Sequence, residues 1–139
     1  MKKTRLIIDH VYEFELTGII SSVKFHKMAW ILNKTLGLHL IRQEDYFIET
    51  RDNQRVGFGN YLYKLENSSF RLYKNKSVEG ENRYLIPEYT HFDYIIRNEK
   101  QSQSFSNQEI MKVLKEVKWI EYIAAVQVES LKSKDNFLT

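Results

Sequence analysis

Between Leu38 and Asn98 the apolar side chains recur at every second position, and this long period-two region constrains the fold more than any other feature. Successive residues of a strand point to opposite faces, so such alternation marks strands with one buried face. Strands are predicted over 38–43, 46–50, 56–65, 69–74, 83–86 and 92–98, with polar turns at 51–54, 66–69 and 79–82. Short polar connections of this kind favour antiparallel hairpins. Upstream, residues 4–9 read as a first strand and 12–19 as extended, with Gly18 marking a bulge.

Two segments break the period. Ser21 or Ser22 can cap a helix by accepting from an orphan first-turn amide. Phe25, Met28, Ala29, Leu32 and Leu36 then share one helical face, and Gly37 supplies a left-handed exit. After a polar linker at 99–105, Ser106 and Glu109 form a capping box ahead of Ile110, Val113, Leu114 and Val117. From Ile120 the alternation returns through Tyr122, Ala124, Val126 and Val128. A final strand is predicted there, with a longer helix as the alternative. The expected architecture is an α+β domain, a mostly antiparallel sheet with two helices packed on it in the order β-α-β(meander)-α-β. It spans 1–131, followed by a polar C-terminal tail at 132–139 that is read as loose save for Phe137 and Leu138.

A chain of 139 residues with 42% hydrophobic and 14% aromatic content can bury one proper core. The absence of cysteine excludes a disulfide scaffold, a cysteine nucleophile and a thiolate zinc site. It also fits a reducing, cytoplasmic setting. Lys2, Lys3 and Arg5 imitate the start of a signal peptide, but only Leu6, Ile7 and Ile8 follow before Asp9. No stretch approaches the roughly 20 apolar residues of a membrane span, so no membrane partner is expected. A net charge of +3 permits nucleic-acid contact without the clustered stripe that would indicate it.

The single proline, Pro87, lies between Ile86 and Glu88, shortly before Asp93 and Tyr94. Proline fixes φ and biases the preceding residue towards extended geometry, so Pro87 is expected to shape a corner between strands. Glu88 and Asp93 can tie down loop amides there. Alternatively, with His91, they can form a paired-carboxylate site for acid–base chemistry. The Ile-Pro-Glu and Asp-Tyr pairs resemble the motif of a small bacterial family named for it, the IPExxxVDY family. Ile86, Pro87, Glu88, Asp93 and Tyr94 match, and Phe92 stands where valine is usual. The resemblance extends to the run from Phe14 and to the helix around Trp30, and so covers the whole chain. It implies identity without an activity, since the family has none assigned.

Three further groups bear on function. Trp30 lies about 140° from the core face of the first helix, beside Val23 and between Lys27 and Lys34. Either a second layer of the same chain covers it, or it anchors a partner or homodimer contact. In a hairpin turning at 66–69, Lys64 is expected opposite Arg71 and Leu62 opposite Tyr73. Like charges so opposed need an offset. Glu66 or Asp93 can supply it, or an external anion such as an RNA phosphate, with Tyr73 as a stacking ring. Lys112, Lys115 and Lys118 form a lysine row on the second helix, read as a solvated face. The four histidines show no metal-ligand spacing, and no phosphate loop is present, so neither metal nor cofactor is expected. The chain reads as a small binding or adaptor domain acting through protein–protein contact. The alternative is an RNA-associated accessory protein using Lys64, Arg71 and Tyr73. An enzyme built on Glu88, His91 and Asp93 is the third reading.

Overall fold

The computed structural model describes residues 14–50, 52–66, 68–78, 83–100 and 106–137, so the strand predicted at 4–9 lies outside them. Eight strands and two α-helices follow in chain order. They are β1 (Phe14–Ile20), α1 (Phe25–Leu36), β2 (Ile41–Arg42), β3 (Tyr46–Glu49), β4 (Arg55–Phe58), β5 (Asn60–Lys64), β6 (Ser68–Lys74), β7 (Tyr94–Lys100), α2 (Asn107–Leu114) and β8 (Tyr122–Val126). Six strands form one antiparallel sheet in the order β2-β5-β6-β7-β1-β8, while β3 and β4 pair as a separate hairpin. The fold is α+β, with two helices packed on a mostly antiparallel sheet.

The sheet is buried on both faces. Met28, Ala29, Leu32 and Leu36 of α1 and Ile110 and Leu114 of α2 pack on Ile19, Phe70, Leu72, Tyr94, Ile96 and Ile123. On the opposite face, Leu16, Tyr73, Ile95 and Val126 are covered by Val56 and Phe58 of the hairpin, by Leu85, Ile86 and Phe92, and by Val128, Leu131 and Phe137. The C-terminal segment expected as a polar tail from Lys132 is instead a docked strap. It makes short 3-10 turns at Val128–Ser130 and Lys134–Phe137, and Phe137 is fully buried. Its polar composition conceals a wide spacing of apolar anchors, which matches neither regular period.

Local rules explain most of the elements and several departures. α1 starts one turn later than the serines suggest. Its cap is Lys24, with no side-chain bond, while the Ser21 hydroxyl accepts from the Val23 amide and donates to the Trp119 carbonyl. Gly37 leaves the helix at φ 69°, as expected. The Ser106–Glu109 capping box is present in both directions, but α2 stops at Leu114 and leaves Val113 exposed. The stretch 56–65 is not one strand. The chain bends at Gly59 and passes from the hairpin into the main sheet, so that β4 pairs with β3 and β5 with β6. Residues 38–43 contribute only the two-residue β2, and 83–86 only a bridge from Tyr84 to Lys76.

No bulge occurs at Gly18, which pairs regularly with Ile95 on one side and Ala124 on the other. The glycine is needed for another reason. A Cβ there would lie 2.5 Å from the Phe92 ring, which covers the strand at this point. The β5–β6 hairpin keeps its predicted faces but slips by two residues. Lys64 faces Ser69, Leu62 faces Arg71, and Asn60 faces Tyr73.

Candidate functional site

The motif loop is held from beneath by Asn75, the residue after β6. Its side-chain oxygen accepts from the Ile86 amide at 2.9 Å, and its amide nitrogen donates to the carbonyls of Tyr89 at 3.0 Å and Phe92 at 2.9 Å. Its main chain donates to Asp93 and accepts from Leu85. Asn75 is fully buried, and its bonds to the Ile86 amide and the Phe92 carbonyl satisfy groups that water does not reach. Ile86 enters the core and Pro87 opens the 3-10 turn Pro87–Tyr89. Pro87 thus leads into this turn rather than closing a ladder of 83–86.

The two motif carboxylates serve separate segments. Glu88 accepts from the main-chain amides of Lys132 and Ser133 and from the Ser133 hydroxyl, so it fastens the C-terminal strap to the motif. Partial burial pushes its carboxyl up. The Ser133 hydroxyl, its own amide and the two strap amides outweigh that effect and hold it below its ordinary value. Asp93 accepts from the Ser21 amide at 2.9 Å and fixes the entry to α1. Tyr94 donates its hydroxyl to the Val23 carbonyl and stacks on Phe25 with centroids 5.5 Å apart. Burial, with the Asp93 charge beside it, pushes the Tyr94 hydroxyl up to about 12. His91 is exposed and packs its ring on Phe92. The five motif residues therefore act as fasteners between the sheet, α1 and the strap.

Glu88 gives this arrangement a pH signature. Its folded pKa is depressed, so its contribution is complete above the ordinary carboxylate range and is lost as pH falls through the lower folded value. Wild type should therefore exceed Glu88→Gln in denaturation midpoint at neutral pH, and the gap should narrow as pH falls below the ordinary carboxylate range. A gap that is constant with pH would remove the ionised carboxylate from this role.

The second candidate lies on the helix side. Trp30 is 52% exposed, so no described segment buries it. Lys34 places its ammonium 5.3 Å from the Trp30 ring centre. One turn back on α1, Lys27 sits 4.2 Å over Trp119, whose other cation neighbour is Lys118 at 4.8 Å. Trp119 lies in the connection between α2 and β8, with its carbonyl held by Ser21, and is 37% exposed. Trp119 was missed in the sequence because it sits in a turn without periodicity, and Lys118, expected on the second helix, lies in that turn beyond the end of α2. Val23 is half-buried against the core of this side and contributes backbone rather than surface. Close by along the chain, Tyr122 is exposed at the start of β8, an edge strand with no charged residue.

The hairpin trio does not assemble as expected. Tyr73 is fully buried beneath Tyr46 and Phe137 and offers no ring for stacking. Burial pushes its hydroxyl up to about 12. Lys64 is exposed and diagonal to Arg71 rather than opposite it. Neither Glu66 nor Asp93 pairs with Arg71 among the described residues, and the residue facing Arg71 across β7 is Arg97. Lys112, Lys115 and Lys118 are exposed.

Among the described residues no three His, Asp or Glu side chains converge as metal ligands, and no helix is long and apolar enough to cross a membrane. Comparison with family models, curated proteins and solved structures finds no match to this chain.

Proposed function

We propose that this chain is a binding domain of the IPExxxVDY family that acts by protein–protein contact through the surface of Trp30, Trp119, Lys27 and Lys34. The observation that carries the reading is two exposed tryptophans that each hold a lysine ammonium from α1 over the ring, Lys34 on Trp30 and Lys27 on Trp119. Tryptophan is enriched among the residues that dominate binding energy, and lysine stems can rim such a patch while their charges stay in water. The motif supports this reading indirectly. Asp93 and Tyr94 anchor Ser21 and Val23, and these position the start of α1 and hence the tryptophan surface. A cytoplasmic setting fits the absence of cysteine.

The test is partner capture at low and high salt, with and without nuclease, comparing wild type with Trp30→Ala, together with sedimentation velocity for self-association. The exposed indole should leave folding stability within about 0.5 kcal/mol when truncated. Association should weaken by about 2 kcal/mol or more. Partners that survive nuclease but are lost with Trp30→Ala support the reading, and partners lost only to nuclease favour the RNA alternative. Unchanged capture by Trp30→Ala removes Trp30 from the interface.

A further inference from the structure

On the sheet face turned away from α1 and α2, one row crosses five strands as Leu62, Arg71, Arg97, Leu16 and Val126. It places two arginines directly opposite each other on β6 and β7. Like charges so placed are unfavourable, and guanidinium does not lose its proton to relieve them. The offset within the described residues is incomplete. Arg97 Nη2 meets Glu99 at 2.9 Å, and Glu99 is also held by the Ser69 hydroxyl at 2.8 Å. Arg97 Nη1 is 3.5 Å from the Tyr73 hydroxyl, its Cζ lies 4.4 Å over the Phe14 ring, and its Nε is buried with no hydrogen-bond partner. Arg71 donates one bond, to the Asn60 side-chain oxygen, and makes no ion pair among the described residues. Exposed Lys64 stands diagonally from Arg71 on the same face and adds positive charge.

We propose that Arg71 and Arg97 form a binding site for a small oxyanion of the phosphate type. A guanidinium presents five N–H donors in a planar fork suited to such oxygens, and both forks retain donors without partners among the described residues. An oxyanion between them offsets the opposition across β6 and β7 and takes donors of Arg71 and the terminal nitrogens of Arg97. Arg97 is the fixed half, with its side chain 12% exposed and clamped by Glu99 and Phe14. Arg71 is half-buried and forms the side through which the ion enters. The site is independent of the tryptophan surface, which is built from α1 and the α2–β8 connection.

The experiment is titration of the whole chain with inorganic phosphate at constant ionic strength set with chloride. It is followed through the Nε–H resonances of Arg71 and Arg97 and through the thermal midpoint. Saturable shifts of both resonances and a rising midpoint are expected. Arg71→Gln, at a half-exposed position, should keep the fold and weaken the apparent affinity at least about tenfold, the worth of one charge-assisted bond. Phosphate also stabilises proteins in general by exclusion from their surfaces. A midpoint rise of equal size in Arg71→Gln, or resonances that do not saturate, would overturn the site.

Discussion

Phe137→Ala should lower the free energy of unfolding by about 3–5 kcal/mol, as expected for removing a buried aromatic ring from a packed core. Phe137 is fully buried, with its ring 5.6 Å from Tyr73 edge-on and 6.3 Å from Phe14. It closes the sheet face opposite the helices, where Leu131 and Val128 are also buried. The neighbouring Asn136 fixes its position. The Asn136 side chain donates to the Leu85 carbonyl at 2.8 Å, and its own carbonyl accepts from the Tyr46 hydroxyl. One residue thus joins the strap to the motif loop and to the β3–β4 hairpin, so truncating the ring opens a cavity where three segments meet. Exposed Asp135 provides the comparison, and Asp135→Ala should stay within about 0.5 kcal/mol of wild type. Urea melts of the three proteins measure both effects. Coincident midpoints for Phe137→Ala and wild type would mean that the strap is not part of the cooperative fold.

The strap also shows where sequence reasoning stops. Met28, Leu32 and Leu114 are fully buried against the sheet because a 3.6-residue period fixes which side of a helix meets the core. The inward faces of β5, β6 and β7 were legible for the same kind of reason, since the period of two survives any even slip in register. That survival is also why the register itself was misread. Moving Lys64 from Arg71 to Ser69 changes every pairing and no face. Like-charge opposition was anticipated across the wrong strand pair, because sequence shows which face Arg97 shares but not which strand lies beside β6. The carboxylates that hold irregular chain were legible as amide acceptors, but their partners were not. Glu88 and Asp93 each work on backbone amides far along the chain, at Ser133 and Ser21, and no spacing rule connects those pairs. Trp30 was legible because it breaks a helical pattern, and Trp119 was not because it lies where there is no pattern to break.

Asn75 is the strongest instance of a hidden position, and Asn75→Ala should destabilise the protein by roughly 3 kcal/mol or more. The substitution removes three side-chain hydrogen bonds at once and leaves the Ile86 amide and the Phe92 carbonyl to find other partners, while the Tyr89 carbonyl keeps the Phe92 amide. A buried backbone group left unpaired costs about 1–3 kcal/mol. The penalties do not simply add, because the loop can shift and admit water at the exposed Tyr89. The loss should also be local in character. Ile86 is fully buried and its amide has Asn75 as its acceptor, so its hydrogen exchange should accelerate more than global destabilisation accounts for. Amides of β6 and β7 away from the loop should follow the global change alone. The distinction matters because Asn75 also carries main-chain bonds to Asp93 and Leu85, which an alanine retains. Those bonds keep 83–93 close to the end of β6 while the turn at Pro87 loses its floor. Urea melts combined with amide exchange of both proteins make the measurement. A midpoint change worth less than about 1 kcal/mol, the size of a single ordinary hydrogen bond, would show that the loop is held by the burial of Leu85, Ile86 and Phe92 rather than by the amide beneath it.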